Sequence, residues 1–319
     1  MTATGQAPAI RVSGLRKSYG DLLVVDGIDL DIAPGTVFAL LGPNGAGKTT
    51  TVNILTTLLT PDAGEVAVGG HDLRTDPAGI RSAIGVTGQF SAVDDLLTGF
   101  ENLRLMADLN HLGREEGRLR IADLLERFEL TDAAEKYVAT YSGGMKRRLD
   151  LAMTLMGNPR IVFLDEPTSG VDPRGRRTMW TIVRDLVADG ITIFLTTQYL
   201  EEADELANHI AMLDHGRIVA EGTPAQLKRL VPGGSVRIEF TTADALENAA
   251  ARLASARRDP EGLVLHVPTD GGIASLRAVL DQLNGASADV ADIGLHTPDL
   301  DDVFLSLTGQ ADPRKVATQ

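Results

Sequence analysis

Residues 42–49 have the sequence Gly42-Pro43-Asn44-Gly45-Ala46-Gly47-Lys48-Thr49, which matches the pattern G-x4-G-K-[ST]. The stretch follows a short apolar run typical of a buried strand, Val37–Leu41, and a helix is predicted to begin near Lys48. Backbone N–H groups of such a loop surround a phosphate, the lysine reaches the β- and γ-phosphate oxygens, and the threonine hydroxyl ligates Mg²⁺. Residues 42–49, together with Thr50, are therefore predicted to bind the phosphates of a nucleotide.

A second apolar strand ends in two carboxylates. Ile161–Leu164 is followed by Asp165, Glu166 and Pro167. Asp165 is placed to hold Mg²⁺ through water, and Glu166 to polarise an attacking water. Two adjacent acids at a strand end are common, so the pair indicates nucleotide hydrolysis only in combination with the phosphate loop.

A third feature suits an anion. Ser142, Gly143 and Gly144 precede a predicted helix, Lys146–Met156, and a serine at a helix N-terminus is a favourable neighbour for phosphate. One chain has no evident use for two phosphate sites on one nucleotide. The neighbouring cluster Lys146-Arg147-Arg148 is most simply a solvated face or a contact for an acidic partner; contacts with phosphate or with a second copy are the alternative.

The remaining pattern predicts an α/β fold with two domains. A strand, a helix (Arg176–Val187) and a strand (Ile191–Leu195) indicate a parallel sheet, and residues 8–31 indicate an antiparallel flank. Charged, leucine-rich segments make residues 95–157 a helical insert. We predict a main domain over 1–231, a small α+β domain over 235–309 and a polar tail over 310–319.

Composition narrows the classes of function. The chain has 319 residues, a formal net charge of −14 and no cysteine. The acidic balance disfavours nucleic acid as a partner, and the absence of cysteine excludes disulfides and thiolate metal sites. The N-terminus lacks the pattern of a signal peptide, and the apolar runs are of strand length, so we expect a cytosolic location without a membrane span.

The order of these motifs resembles the ATP-binding cassette (ABC) ATPase family over about residues 8–230. The resemblance implies that ATP and Mg²⁺ lie between two head-to-tail copies, with Ser142, Gly143 and Gly144 of one copy completing the site of the other. It also implies three further roles. Gln89 would ligate Mg²⁺, sense water and touch a membrane partner, Asp172 would cross the dimer interface, and Tyr19 would stack on adenine unless it is ordinary packing.

Gln198 departs from the family pattern, because most members have histidine at this switch position. An amide can donate a hydrogen bond to the γ-phosphate but cannot carry a proton or a charge. Slow hydrolysis is therefore predicted, with Lys48, Glu166 and Gln198 as the catalytic residues.

A narrower resemblance, to daunorubicin/doxorubicin-resistance ATP-binding subunits, extends through the last motif, Leu300–Gly309. It implies an ATPase at the cytoplasmic face of the membrane that powers a two-component exporter of drugs or other hydrophobic compounds through a separate permease. The alternatives are a soluble ABC ATPase acting on DNA or ribosomes, and a slow nucleotide switch. The acidic balance and the single cassette count against the first, and Glu166 counts against the second. A regulatory or dimerisation role is expected for the C-terminal domain.

Overall fold

The computed structural model describes residues 7–88, 92–231, 234–253, 255–259, 262–269, 273–283, 290–296 and 298–308. The chain divides into two compact units, one ending at Pro224 and the other beginning at Ala225. None of the helices in these described ranges combines the length and the apolar character needed to cross a membrane.

The central sheet of the first unit is mostly parallel. Within the described residues it has six strands, β3 (Val37–Leu41), β6 (Ile84–Thr87), β7 (Ile161–Asp165), β8 (Thr192–Thr197), β9 (His209–Asp214) and β10 (Arg217–Gly222). Their order is β10-β9-β3-β8-β7-β6, and only the β9–β10 pair is antiparallel. Strands β3, β7 and β8 are buried at every position, as expected for strands covered on both faces.

An antiparallel sheet flanks this core, as predicted. Its described strands are β1 (Ile10–Tyr19), β2 (Leu22–Ile32), β4 (Ala63–Val68) and β5 (His71–Asp72), in the order β2-β1-β4-β5. The hydrophobic core between the two sheets includes Ile10 and Ile28 from the flank and Phe38, Phe163 and Phe194 from the central sheet. Burial of these side chains fixes the flank beside the strands that carry the predicted site.

Helices connect the strands of the first unit. The described helices of the first unit are α1 (Lys48–Leu55), α2 (Pro77–Ala83), α3 (Gly99–Leu109), α4 (Arg114–Arg127), α5 (Gly143–Thr154), α6 (Pro173–Ala188) and α7 (Leu200–Leu206). Helix α8 (Pro224–Lys228) begins at the last residue of the first unit and otherwise belongs to the second. Helix α3 begins with a capping box, in which the Thr98 side chain accepts from the N–H of Glu101 and the Glu101 side chain accepts from the N–H of Thr98. Helices α3, α4 and α5 contact one another or their connecting turns, and all three lie within residues 95–157.

The second unit is an antiparallel sheet with helices. Its described strands are β11 (Gly234–Phe240), β12 (Arg257–Arg258), β13 (Val264–Thr269) and β14 (Val290–His296), in the order β12-β13-β11-β14. Its helices are α9 (Ala243–Arg252), α10 (Ile273–Leu283) and α11 (Leu300–Thr308). Leu300 and Val303 are buried, whereas Leu307 is 37% exposed, so the apolar face of α11 is only partly covered within the described part of this unit.

Candidate active site

The phosphate loop lies between β3 and α1, and α1 begins at Lys48 as predicted. Gly45 and Gly47 have φ values of 82° and 108°, which L-residues with side chains rarely adopt. A Cβ atom added at Gly47 would lie 2.7 Å from the carbonyl oxygen of Val24. Glycine is therefore required at position 47 both by the backbone conformation and by the close approach of β2.

Lys48 lies inside this loop and is only 5% exposed. Its Nζ donates to the carbonyl oxygens of Gly42 at 2.7 Å and Pro43 at 3.0 Å. Glu166 Oε1 is 3.9 Å from the same nitrogen. Burial lowers the pKa of Lys48, and the charges of Glu166 and Asp165 oppose that shift. The ammonium group is thus held at the junction of the loop and the two carboxylates.

Asp165, the last residue of β7, faces two threonine hydroxyls. Thr49 Oγ1 is 3.5 Å from Asp165 Oδ2, and Thr196 Oγ1 donates to Asp165 Oδ1. A hydroxyl and a carboxylate are the hard oxygen ligands that Mg²⁺ prefers. The donor set of Thr49 and Asp165 therefore fits the ion that the sequence predicts.

Glu166 has a left-handed backbone conformation, with φ of 48°. Its N–H donates to the carbonyl oxygen of Thr196 at 3.0 Å, and Thr196 Oγ1 is 3.3 Å from the same nitrogen. A non-glycine residue in this conformation costs about 1–2 kcal/mol. The turn after β7 is therefore held by β8, and it brings the Glu166 carboxylate beside Lys48.

The ends of three parallel strands bring these groups together. In register, Asp165 pairs with Thr196, and Leu41, the last residue of β3, pairs with Thr197. Gln198 follows β8 directly and is half-buried, so the predicted switch residue lies at the same edge of the sheet as the carboxylates. Thr196 was not predicted as a site residue; a hydroxyl two positions before the switch was the available signal.

The Ser142-Gly143-Gly144 motif lies at the start of α5 and not among the residues around Lys48. Ser142 caps α5, since its Oγ accepts from the N–H of Met145 at 3.3 Å. Gly143, Gly144 and Asp172 share with Ser142 a groove of about 380 Å³. As far as the structure describes its lining, this groove includes no residue of the phosphate loop. Asp172 also caps α6, accepting from the N–H of Gly175 at 2.6 Å.

The predicted adenine-stacking residue, Tyr19, lies in the flanking sheet. Tyr19 ends β1 and is 50% exposed, so its ring is not core packing. Lys17 Nζ is 6.0 Å from the centre of that ring. Gln89 lies outside the described residues.

The basic cluster after the Ser-Gly-Gly motif is not a single solvated face. Lys146 pairs with Asp95 at 2.6 Å and Arg148 with Glu129 at 3.0 Å, both near the surface. Arg147, in contrast, is only 7% exposed and donates to carbonyl oxygens near the site. The interpretation as a surface cluster is wrong for Arg147, because a local run of charges does not reveal which member points inward.

The family model described as ABC transporter matches residues 25–169. The chain is 47% identical over 310 residues to a daunorubicin resistance ATP-binding protein of Streptomyces coeruleorubidus, covering 97% of this chain and 98% of that protein. It is 45% identical over 313 residues to a daunorubicin/doxorubicin resistance ATP-binding protein of Streptomyces peucetius, covering 96% and 94%. A solved dimeric ATP-binding cassette in a post-hydrolysis state with ADP and Pi matches at 27% identity and a TM-score of 0.61, covering 67% of this chain and 98% of that one.

A nucleotide-phosphate loop, paired carboxylates and these relationships define an ATP-hydrolysing cassette, and the chain belongs to the ABC transporter family of ATP-binding proteins. Within that family it resembles, over nearly its whole length, the daunorubicin/doxorubicin-resistance ATP-binding proteins. Cassettes of this family bind ATP and work as dimers with membrane permease partners. The predicted fold class and the predicted ATPase activity are thereby confirmed.

Proposed function

We propose that this chain is the ATPase subunit of a two-component exporter of drugs or other hydrophobic compounds. It would act as a head-to-tail dimer, bound to a separate permease at the cytoplasmic face of the cell membrane. The names of its relatives support the cargo class, and their coverage of 94% or more on both sides supports the comparison of whole subunits.

The observation that carries the dimer is the separation of two anion-suited elements. Lys48 and the two carboxylates meet at one sheet edge, whereas Ser142 and Asp172 line a groove that, as described, lacks the phosphate loop. A second copy placed head to tail would bring Ser142, Gly143 and Gly144 to the γ-phosphate held by the first. Asp172 would then lie at the interface.

Each residue has a proposed role in hydrolysis. The N–H groups of residues 42–49 and of Thr50 would surround the phosphates, and Lys48 would neutralise their charge. Thr49 and Asp165 would hold Mg²⁺, with Gln89 as a further ligand; the ion would stabilise charge on the β- and γ-phosphate oxygens. Glu166 would accept a proton from the attacking water. Gln198 would donate a hydrogen bond to the γ-phosphate, and Tyr19 would stack on adenine.

The roles of the two units differ in this proposal. Residues 1–231 would form the nucleotide-binding domain, with the helical subdomain and Gln89 facing the permease. Residues 235–309 would regulate the cassette or strengthen the dimer, and residues 310–319 would be a tail. The four-stranded sheet with its own core supports an independently packed second domain in this range.

Steady-state ATPase activity of the purified chain with Mg²⁺ tests this proposal. We expect the rate per chain to rise with protein concentration, since two copies are needed, and to be lost in Lys48→Ala, Ser142→Ala and Glu166→Gln. Arg120→Met, whose arginine donates to the carbonyl oxygen of Leu155 at 2.9 Å within the helical subdomain, is the matched control. A rate per chain that is independent of concentration, or a fully active Ser142→Ala variant, would contradict the head-to-tail dimer.

The cargo class is tested in cells of the source organism that lack this chain. Complementation with the wild-type chain should lower the accumulation of a fluorescent anthracycline, and complementation with Lys48→Ala should not. Equal anthracycline accumulation in the cells complemented with the wild-type chain and in those complemented with Lys48→Ala, with active ATPase in the wild type, would point to another cargo.

A further inference from the structure

The guanidinium group of Arg147 donates to three backbone carbonyls in two segments, two at the end of β7 and the turn after it and one in the residue that follows β6. Its Nε donates to Pro167 at 3.0 Å, one terminal nitrogen donates to Asp165 at 2.9 Å, and the other donates to Gly88 at 2.7 Å. Asp165 and Pro167 are the immediate neighbours of Glu166. The planar fork of one buried arginine therefore holds the backbone on both sides of the residue proposed to activate water.

Asp150 lies one turn further along α5 and completes the arrangement. Its Oδ2 is 3.3 Å from a terminal nitrogen of Arg147, and its Oδ1 accepts from the N–H of Ala92 at 3.1 Å. Asp150 is only 3% exposed. Gly88 and Ala92 are the described residues on either side of the segment that contains Gln89. Arg147 therefore binds the backbone before this segment, and Asp150 binds the backbone after it.

The burial of this pair indicates a role beyond stability. Burial lowers the pKa of Arg147 and raises that of Asp150, and the charges of Asp165 and Glu202 also act on the arginine. Removing two charges from water offsets much of their mutual attraction, and well-packed apolar pairs are often at least as stable. What an apolar pair cannot supply is donors for the carbonyls of Asp165 and Pro167.

We propose that Arg147 and Asp150 are positioning residues for ATP hydrolysis. Their hydrogen bonds fix the backbone on both sides of Glu166 relative to Gly88 and Ala92, and so set where the Glu166 carboxylate lies. The inference rests on the proposed role of Glu166. Neither residue touches nucleotide in this account; both act through the backbone they hold.

The decisive variant replaces both charges at once. Arg147→Met/Asp150→Leu removes the ion pair without leaving a buried charge unpaired, but the three carbonyls and the N–H of Ala92 lose their partners. The melting temperature should therefore fall while the chain stays folded, and the affinity for ATP should stay close to wild type. Because a misplacement of about 1 Å costs on the order of 100-fold in rate, we expect kcat to fall by about 10- to 100-fold. KM for ATP should change by less than about threefold, which separates turnover from ATP binding.

Arg147→Lys decides the matter if the double variant does not fold. Lysine keeps the charge opposite Asp150 but has no planar fork for three carbonyls, so kcat should again fall while the chain stays folded. Arg120→Met is the control, since it removes an arginine bound to a carbonyl away from the strand ends. Its kcat should match that of the wild type.

The outcomes separate this inference from the proposed function. A folded double variant or Arg147→Lys with kcat within about twofold of wild type would overturn the positioning role, while leaving Glu166 in place. A Glu166→Gln variant that still hydrolyses ATP at the wild-type rate would instead overturn the role of Glu166. A loss of kcat in the double variant and in Arg147→Lys, together with inactive Glu166→Gln and active Arg120→Met, supports both.

Discussion

Replacing Thr196 with valine should weaken Mg²⁺-dependent turnover, because its hydroxyl has two partners at the site. The side chain is fully buried, donates to Asp165 Oδ1 and lies 3.3 Å from the N–H of Glu166. Valine has the same shape but leaves the Asp165 carboxylate without its buried donor. Hydrogen bonds to charged groups contribute about 1.5–3 kcal/mol.

Two quantities follow from that loss. A change of about 2 kcal/mol in a unit of this size lowers the melting temperature by about 4–8 °C. Losing a hydrogen bond to a ligating carboxylate typically costs about 10- to 100-fold in metal affinity or activity. We therefore expect the Mg²⁺ concentration for half-maximal ATPase activity to rise by about tenfold or more.

The assay is ATPase activity across a Mg²⁺ titration, beside thermal unfolding of the same samples. Thr192→Val is the matched control, since Thr192 is buried on the same strand but accepts from the N–H of Gly35 at 2.9 Å at the far end. It should lose stability and keep its Mg²⁺ requirement. The reasoning is refuted if Thr196→Val shifts the Mg²⁺ requirement no more than Thr192→Val does.

Three further predictions concern single side chains. Gln198→His should raise kcat, because a protonatable ring can stabilise the transition state better than an amide; an unchanged rate would remove Gln198 as the cause of slow hydrolysis. Gly47→Ala should abolish ATP binding measured by titration, since the added Cβ would lie 2.7 Å from the Val24 carbonyl, whereas Gly113→Ala, with open space around its Cβ, should bind normally. Burial raises the pKa of Glu202 above its ordinary value of 4.5, so the folded state holds the proton more tightly than the unfolded state, and the free energy of unfolding falls as pH rises through that window. Glu202→Gln keeps the acceptor for Trp180 Nε1 and removes this dependence of the free energy of unfolding on pH. The melting temperature of the variant should therefore exceed that of the wild type by a margin that grows with pH and then levels off. A margin independent of pH would contradict the raised pKa of Glu202.

Much of the fold was predictable because its signals are local. The start of α1 at Lys48 follows from the phosphate-loop pattern, and β7 and β8 each contain a continuous apolar run, residues 161–164 and 193–195, bounded by polar residues. Strands β4 and β6 were not predicted. They are short, contain glycine and alternate weakly, so their pairing with β1 and β7 supplies the stability that their own sequences lack.

The chemistry of the site was predictable in part for the same reason. Lys48, Thr49, Asp165 and Glu166 belong to contiguous motifs, and the structure brings them together. Thr196 lies beside Asp165 because of the register in which β7 and β8 pair. Arg147 reaches the carbonyl of Asp165 because its side chain points inward from α5. The positions of both residues depend on contacts between segments distant in sequence, which no local pattern predicts.

The arrangement of two copies is the central claim, and mixing two inactive variants tests it most directly. Lys48→Ala and Ser142→Ala each damage both sites of their own homodimer. In a mixed head-to-tail dimer, one site carries both changes and the other carries neither. Equal amounts should therefore recover about one quarter of the wild-type ATPase rate. A mixture as inactive as its components, under conditions where wild-type chains dimerise and hydrolyse ATP, would contradict the composite site.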